Sequence, residues 1–194
     1  DPATEKQPLV WALDNTGSFS SGYYGRKILL TEGIYEYIMF RPVGSGEHVV
    51  SRLGSSADNP VEVVGEAGAI IGTATITDHT IFVDGETLDH TFHYIHWYNV
   101  IFHASEASAL HIGVDSDIET SIKYTGWYFF GCTVDGLFDH KNQVGLNSKW
   151  GFLTYRLDDF RFEFGRVRNM RREHAFYFHN NAGDVTFRYN EIYD

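Results

Sequence analysis

Four side chains in the second half of the chain have the types needed to move a proton beside a carboxylate: His140, Lys141, Arg172 and His179. A His or Lys can take a proton from carbon when a cation such as Arg neutralises the neighbouring acid group. Residues 137–140 and 175–179 read as equivalent strands, which would set His140 and His179 at one level, with Lys141, Asn142, Asn180 and Asn181 beside them. Asp139 and Arg172 would lie close by. The alternative is a ladder of exposed polar residues that keeps the chain soluble. Exposed aromatic rings stack on sugars, so Trp150 and Tyr155, with Asn181 as a hydrogen-bonding amide, are the substrate-binding candidates, and Trp127 and Tyr128 are further rings of this kind. Packing in a core or an interface is the plainer role for such rings.

Other constellations carry less. Asp158 and Asp159 are adjacent carboxylates, but neighbours on a strand point to opposite faces, so only one could enter a given cleft. His93 and His96 have a metal-binding spacing for a helix, yet their segment reads as a strand, which sends them to opposite sides. Asp115, Asp117 and Glu119 could hold Ca²⁺ in a loop, although the glycine-anchored spacing of a calcium loop is missing. Cys132 is the single cysteine, which excludes an intrachain disulfide and reads as a buried, inert thiol. Phosphate-binding glycine loops, nucleophile elbows and zinc-protease motifs are absent.

The elements that must position these groups are strands. Short runs of Val, Ile, Phe, Tyr, Trp and Thr are broken by Gly, Asn and Asp, and helical periodicity is scarce. The informative feature is a repeat in which two apolar residues alternate and a third follows after four positions. Ile95, Trp97 and Phe102 fit it, as do Trp127, Phe129 and Val134, then Phe160, Phe162 and Val167, then Val185, Phe187 and Ile192. Each gap holds an Asn or Gly: Asn99, Gly131, Gly165 and Asn190. Alternation puts two side chains on one face of a strand. Asn or Gly tolerates left-handed backbone and allows a sharp bend. A chain that bends repeatedly and always sends its apolar side inward winds into stacked coils. Trp97, Phe129, Phe162 and Phe187 would then form one interior ladder. A β-sandwich is the alternative all-β architecture.

Composition bounds the function. The chain has 194 residues, 43% hydrophobic and 21% charged, with a net charge of −11. That is a globular balance, and the acidity argues against nucleic acid as a partner, since phosphate contact calls for a basic surface. Residues 150–194 carry seven Arg and seven acids, so the whole excess of negative charge lies in residues 1–149. The Arg-rich end is either a salt-bridged face or a patch for an anionic ligand such as a uronic-acid polymer. No apolar run is long enough for a membrane span.

Two segments resemble the right-handed parallel β-helix superfamily, the pectate-lyase-like fold. Residues 185–192, with Phe187, Asn190 and Ile192, and residues 129–134, with Gly131 and Val134, look like its turn-flanked coil repeat. Residues 28–35, with Gly33 and Tyr35, and residues 59–72, with Pro60, Val61, Val63, Gly65 and Gly72, are similar to the opening coils of secreted members. The resemblance covers roughly residues 28–194. It implies an all-β parallel solenoid over 28–194 behind a lead-in or cap segment at 1–27. It also implies a secreted or cell-surface protein with a polysaccharide as partner, and coils that could stack into a homo-oligomer or filament. Lyases of this fold use Ca²⁺ or Arg to neutralise a uronate and a Lys or Arg as base. Ca²⁺ is therefore the one cofactor the resemblance suggests. The superfamily also holds glycoside hydrolases, which need two or three carboxylates in one cleft, as well as epimerases, adhesins, spikes and inert spacers, so fold does not select activity.

Overall fold

In the computed structural model the described residues are 9–14, 27–41, 49–50, 53, 55–72, 79–83, 92–104, 106–113, 123–145, 148–171, 174–180 and 183–193. A short helix, α1 (Leu9–Asp14), buries Leu9 and Leu13. It lies in the segment read as a cap and packs against the first strands. Strands β1 (Lys27–Leu30), β2 (Gly33–Tyr35) and β3 (Ile38–Phe40) make the first turn of the chain, followed by β4 (Val49–Val50). The second turn is β5 (Val61–Gly65), β6 (Ala69–Ile71) and β7 (His79–Val83), and the third is β8 (Ile95–Tyr98), β9 (Ile101–His103) and β10 (Ser108–Ile112). The fourth is β11 (Tyr124–Phe130) and β12 (Thr133–Asp135), a small hairpin of β13 (Phe138–Asp139) and β14 (Val144–Gly145), and then β15 (Trp150–Tyr155). β16 (Leu157–Glu163), β17 (Arg166–Arg168) and β18 (His174–His179) follow, and β19 (Val185–Arg188) with β20 (Glu191–Tyr193) end the described chain.

Successive strands step through three six-stranded sheets: β1-β5-β8-β11-β16-β19, then β2-β6-β9-β12-β17-β20, then β4-β3-β7-β10-β15-β18. Every pairing in these three sheets is parallel. The protein is thus all-β with long parallel sheets, an arrangement consistent with a parallel β-solenoid.

The register reproduces the repeat residue for residue. Ile95 pairs with Trp127, Trp127 with Phe160, and Phe160 with Val185. Trp97, Phe129, Phe162 and Phe187 align in the next row, and Phe102, Val134, Val167 and Ile192 in the second sheet. Trp97, Phe102, Phe129, Phe160 and Phe162 are fully buried, and Trp97 stacks on Phe129 with ring centroids 6.5 Å apart and planes 7° from parallel. The ladder extends backwards to Val61 and Val63. There the connection through Glu66, Ala67 and Gly68 is longer than the one through Asn99, so Ile71 rather than a nearer residue meets Phe102.

The turns differ from expectation in one respect. Asn99 (φ 55°) and Gly131 (φ 64°) are left-handed as the repeat predicts, but in the next two coils the left-handed residues are Phe164 (φ 54°) and Tyr189 (φ 57°), not Gly165 and Asn190. The register explains why, because Phe164 and Tyr189 stand in line with Gly131 while Gly165 and Asn190 stand one place later. Two contacts hold these strained aromatics. Their rings stack at 4.9 Å, and the Asn190 side chain clamps the corner by accepting from Gly165 N at 2.8 Å and donating to Phe162 O at 2.7 Å. Cys132 is fully buried, donates weakly to Trp97 O at 3.4 Å, and has its thiol pushed up to about 12 by burial.

Candidate functional site

The second sheet ends its β12 strand on Asp135, which lies in register between His103 and Arg168. Asp135 is 6% exposed and fully engaged. One carboxylate oxygen accepts from Leu137 N at 3.0 Å and Asn169 Nδ2 at 2.9 Å, and the other from Arg168 Nε at 2.9 Å and Nη2 at 2.8 Å. Burial works against the Arg168 charge, but Asp135 and a hydrogen bond with Tyr193 outweigh it and raise the pKa. Burial pulls His103 down, Asp135 opposes that, and Arg168 adds to it. Two of the three residues tied to Asp135, Leu137 (φ 58°) and Asn169 (φ 56°), take left-handed backbone. Gly136 sits between the coils where a Cβ would run into the backbone oxygen of Asn169. This corner turns the chain outward into the β13–β14 hairpin.

The hairpin walls a cleft of about 620 Å³ lined by Asp135, Leu137, Phe138, Asp139, His140, Lys141 and Asn169. That volume falls in the range of small-ligand sites. Asp139 closes the turn by accepting from Lys141 N, Asn142 N and Asn142 Nδ2, and the Asn142 bonds hold its carboxyl below the usual range. His140 Nε2 lies 3.1 Å from Met170 O. A carbonyl can only accept, so the neutral ring carries its proton on Nε2 and its lone pair on Nδ1. The His140 ring meets Phe138 edge-on, and the exposed Arg171 guanidinium lies 4.7 Å above the Phe138 ring. Lys141 is exposed.

The expected pairing of His140 with His179 does not form. The strand of the third sheet in this coil is β15, and it is Tyr155 that lies in register with His179. Residues 137–140 belong to an antiparallel hairpin outside the stacked sheets. Tyr155 and His179 do come together on the outer face of the third sheet, with ring centroids 5.5 Å apart, and His111 lies 5.8 Å from Tyr155. Trp150 opens β15 half-buried, with the Lys149 ammonium 5.4 Å from its ring. Arg172 and Asn181 lie outside the described residues, as do Asp115, Asp117 and Glu119. Asp158 and Asp159 are engaged, the first with Lys123 at 3.4 Å, the second with Tyr128 Oη and, at 3.4 Å, Arg161.

Two groups lie beyond what the sequence alone reveals. Asp135 and Arg168 are 33 residues apart, one coil, a signal that becomes visible once the coil length is known. The other is a set on the third sheet: His79, Phe82, Ser108 and His111. His79 Nδ1 lies 2.6 Å from Ser108 Oγ, and its Nε2 lies 3.0 Å from His111 Nδ1. Burial pushes His79 down to about 4. An unfolded His takes its proton near 6.5, so this group's contribution is complete above that pH and is lost as pH falls through 6.5 towards 4. Allowing for solvent screening, about 2 kcal/mol of stability should disappear across that window. Urea melts at about pH 7 and about pH 4.5 check this, and His79→Gln should flatten the dependence.

No protein-family model matches this chain, and neither a curated protein nor a solved structure matches it. Among the described residues no helix is long and apolar enough to cross a membrane.

Proposed function

We propose that the protein is a right-handed parallel β-helix of the pectate-lyase-like kind, secreted or displayed at a cell surface, that receives an acidic polysaccharide in the cleft beside the β13–β14 hairpin. The right hand follows the rule for parallel crossovers. The observation that carries the functional reading is the charge state of the cleft. Asp135 is neutralised by Arg168, and Asp139, which keeps its negative charge, is tied by hydrogen bonds into its own turn. The exposed cation Lys141 lines the cleft, and the exposed Arg171 lies over the ring of Phe138, one of its lining residues. A uronate carboxylate placed there meets positive charge without displacing an existing pair.

The enzymatic form of this reading is β-elimination. A base takes the proton from C5 of the uronate, the C4–O bond breaks, the leaving oxygen gains a proton, and the new end carries a C4–C5 double bond. His140, with its lone pair on Nδ1, has the form a base needs, and Lys141 can neutralise the carboxylate. Tyr155 beside His179 offers a ring surface on the adjoining sheet. The purified chain, incubated with a panel of uronic-acid polymers with and without Ca²⁺, should generate the ultraviolet absorbance of unsaturated products, and His140→Ala or Lys141→Ala should abolish it. A folded chain that yields none on any polymer contradicts the elimination chemistry.

A non-catalytic role in a fibre, adhesin or spike is the second reading. It is favoured by the three continuous six-stranded parallel sheets, a regular stack of the kind that serves as a rigid spacer.

A further inference from the structure

The His79–His111 pair lies in the third sheet, apart from the hairpin cleft, and neither residue enters the reading above. β7 and β10 pair in register, with Ser108 beside His79 and His111 beside Phe82. This brings two imidazoles from successive coils together, with ring centroids 4.4 Å apart and planes 83° from parallel. Phe82 packs against both, 5.0 Å from His79 and 4.9 Å from His111. The rings are therefore wedged in place, and both remain partly open to solvent.

We propose that His79 Nε2 and His111 Nδ1 form a chelating pair for a divalent transition-metal ion of the zinc, nickel or copper class. Imidazole nitrogens bind such ions at about 2.0–2.1 Å, so two of them on a tetrahedral ion stand roughly 3.3 Å apart. The observed separation of 3.0 Å needs only a few tenths of an ångström of opening. The pair has the outer support that metal-binding histidines use, because Ser108 Oγ, fully buried, sits 2.6 Å from the other nitrogen of His79. When His79 Nδ1–H donates to that oxygen, the Nε2 lone pair points at His111. The proton now shared between the rings would move to His111 Nε2 as that ring changes tautomer, leaving Nδ1 for the ion. The charge of the two rings is unchanged by this step.

Among the described residues no three His, Cys, Asp or Glu side chains gather at one point. Water would complete the coordination, and such a site holds imidazole-seeking ions rather than Ca²⁺ or Mg²⁺, which demand oxygen ligands.

The test is zinc binding to the untagged chain by calorimetry and thermal melting. One ion per chain is expected, with a rise in Tm of about 5 °C or more at a hundredfold excess over Kd. His79→Gln and His111→Gln should each weaken binding by at least the roughly 10–100-fold cost of losing an outer-shell partner. His174→Gln, on a separate exposed histidine, should leave it intact. If His79→Gln does not fold, His111→Gln decides alone. Absence of zinc binding, or binding undiminished in His111→Gln, overturns the proposal.

Discussion

Phe129→Ala should lower the unfolding free energy by about 3–5 kcal/mol, the range for emptying a buried aromatic site. Phe129 is fully buried at the middle of the interior ladder. It touches rings from its own coil and both neighbours: Trp97, Phe102, Phe152 and Phe160 lie with centroids between 5.5 and 6.5 Å away. Parallel strands on three sides pin the surrounding backbone, so the cavity cannot close by local collapse. The internal control is Phe187→Ala. It occupies the same row at the last coil but is 39% exposed, and should cost about a third as much or less. Urea unfolding of both variants checks the pair. Equal losses would mean that the row is not a continuous core.

Asp135→Ala should cost about 3 kcal/mol, because breaking one side of a buried, hydrogen-bonded ion pair leaves its partners unsatisfied. Four donors lose their acceptor: Leu137 N, Asn169 Nδ2 and two nitrogens of Arg168. Part of the Arg168 side chain reaches solvent, which keeps the loss at the lower end of the range for such pairs. The change should also release the left-handed corner at Leu137 and Asn169 that sets the hairpin. Lys141→Ala, at an exposed position of the same cleft, should leave stability within about 0.5 kcal/mol of the parent. Denaturant melts of the two variants separate these effects, and a loss below about 1 kcal/mol for Asp135→Ala would contradict the role given to it.

The ladder is legible in the sequence because its signal is local and repeated. Two alternating apolar residues and a third after a short turn recur in phase, and the register joins Ile95, Trp127, Phe160 and Val185 as that phase demands. The signal fades in the earlier coils, where the turn through Glu66, Ala67 and Gly68 lengthens and shifts the third apolar residue to Ile71. The cleft is half legible. His140 and Lys141 do line it, but residues 137–140, strand-like in composition, form an inserted hairpin, and His179 stands beside Tyr155 rather than His140. Alternation of apolar residues does not tell a strand that joins the stack from one that folds back on itself. Asp135 with Arg168, and His79 with His111, are pairs between coils. Their partners are 33 and 32 residues away, and only the coil register brings them together.

The most direct test of the central claim is equilibrium binding of a uronic-acid oligosaccharide to the folded chain, followed by calorimetry at two salt concentrations. Binding should weaken as salt rises and fall severalfold in Lys141→Ala with no change in Tm. No binding of any acidic oligosaccharide, or binding unaltered by Lys141→Ala, would contradict that claim.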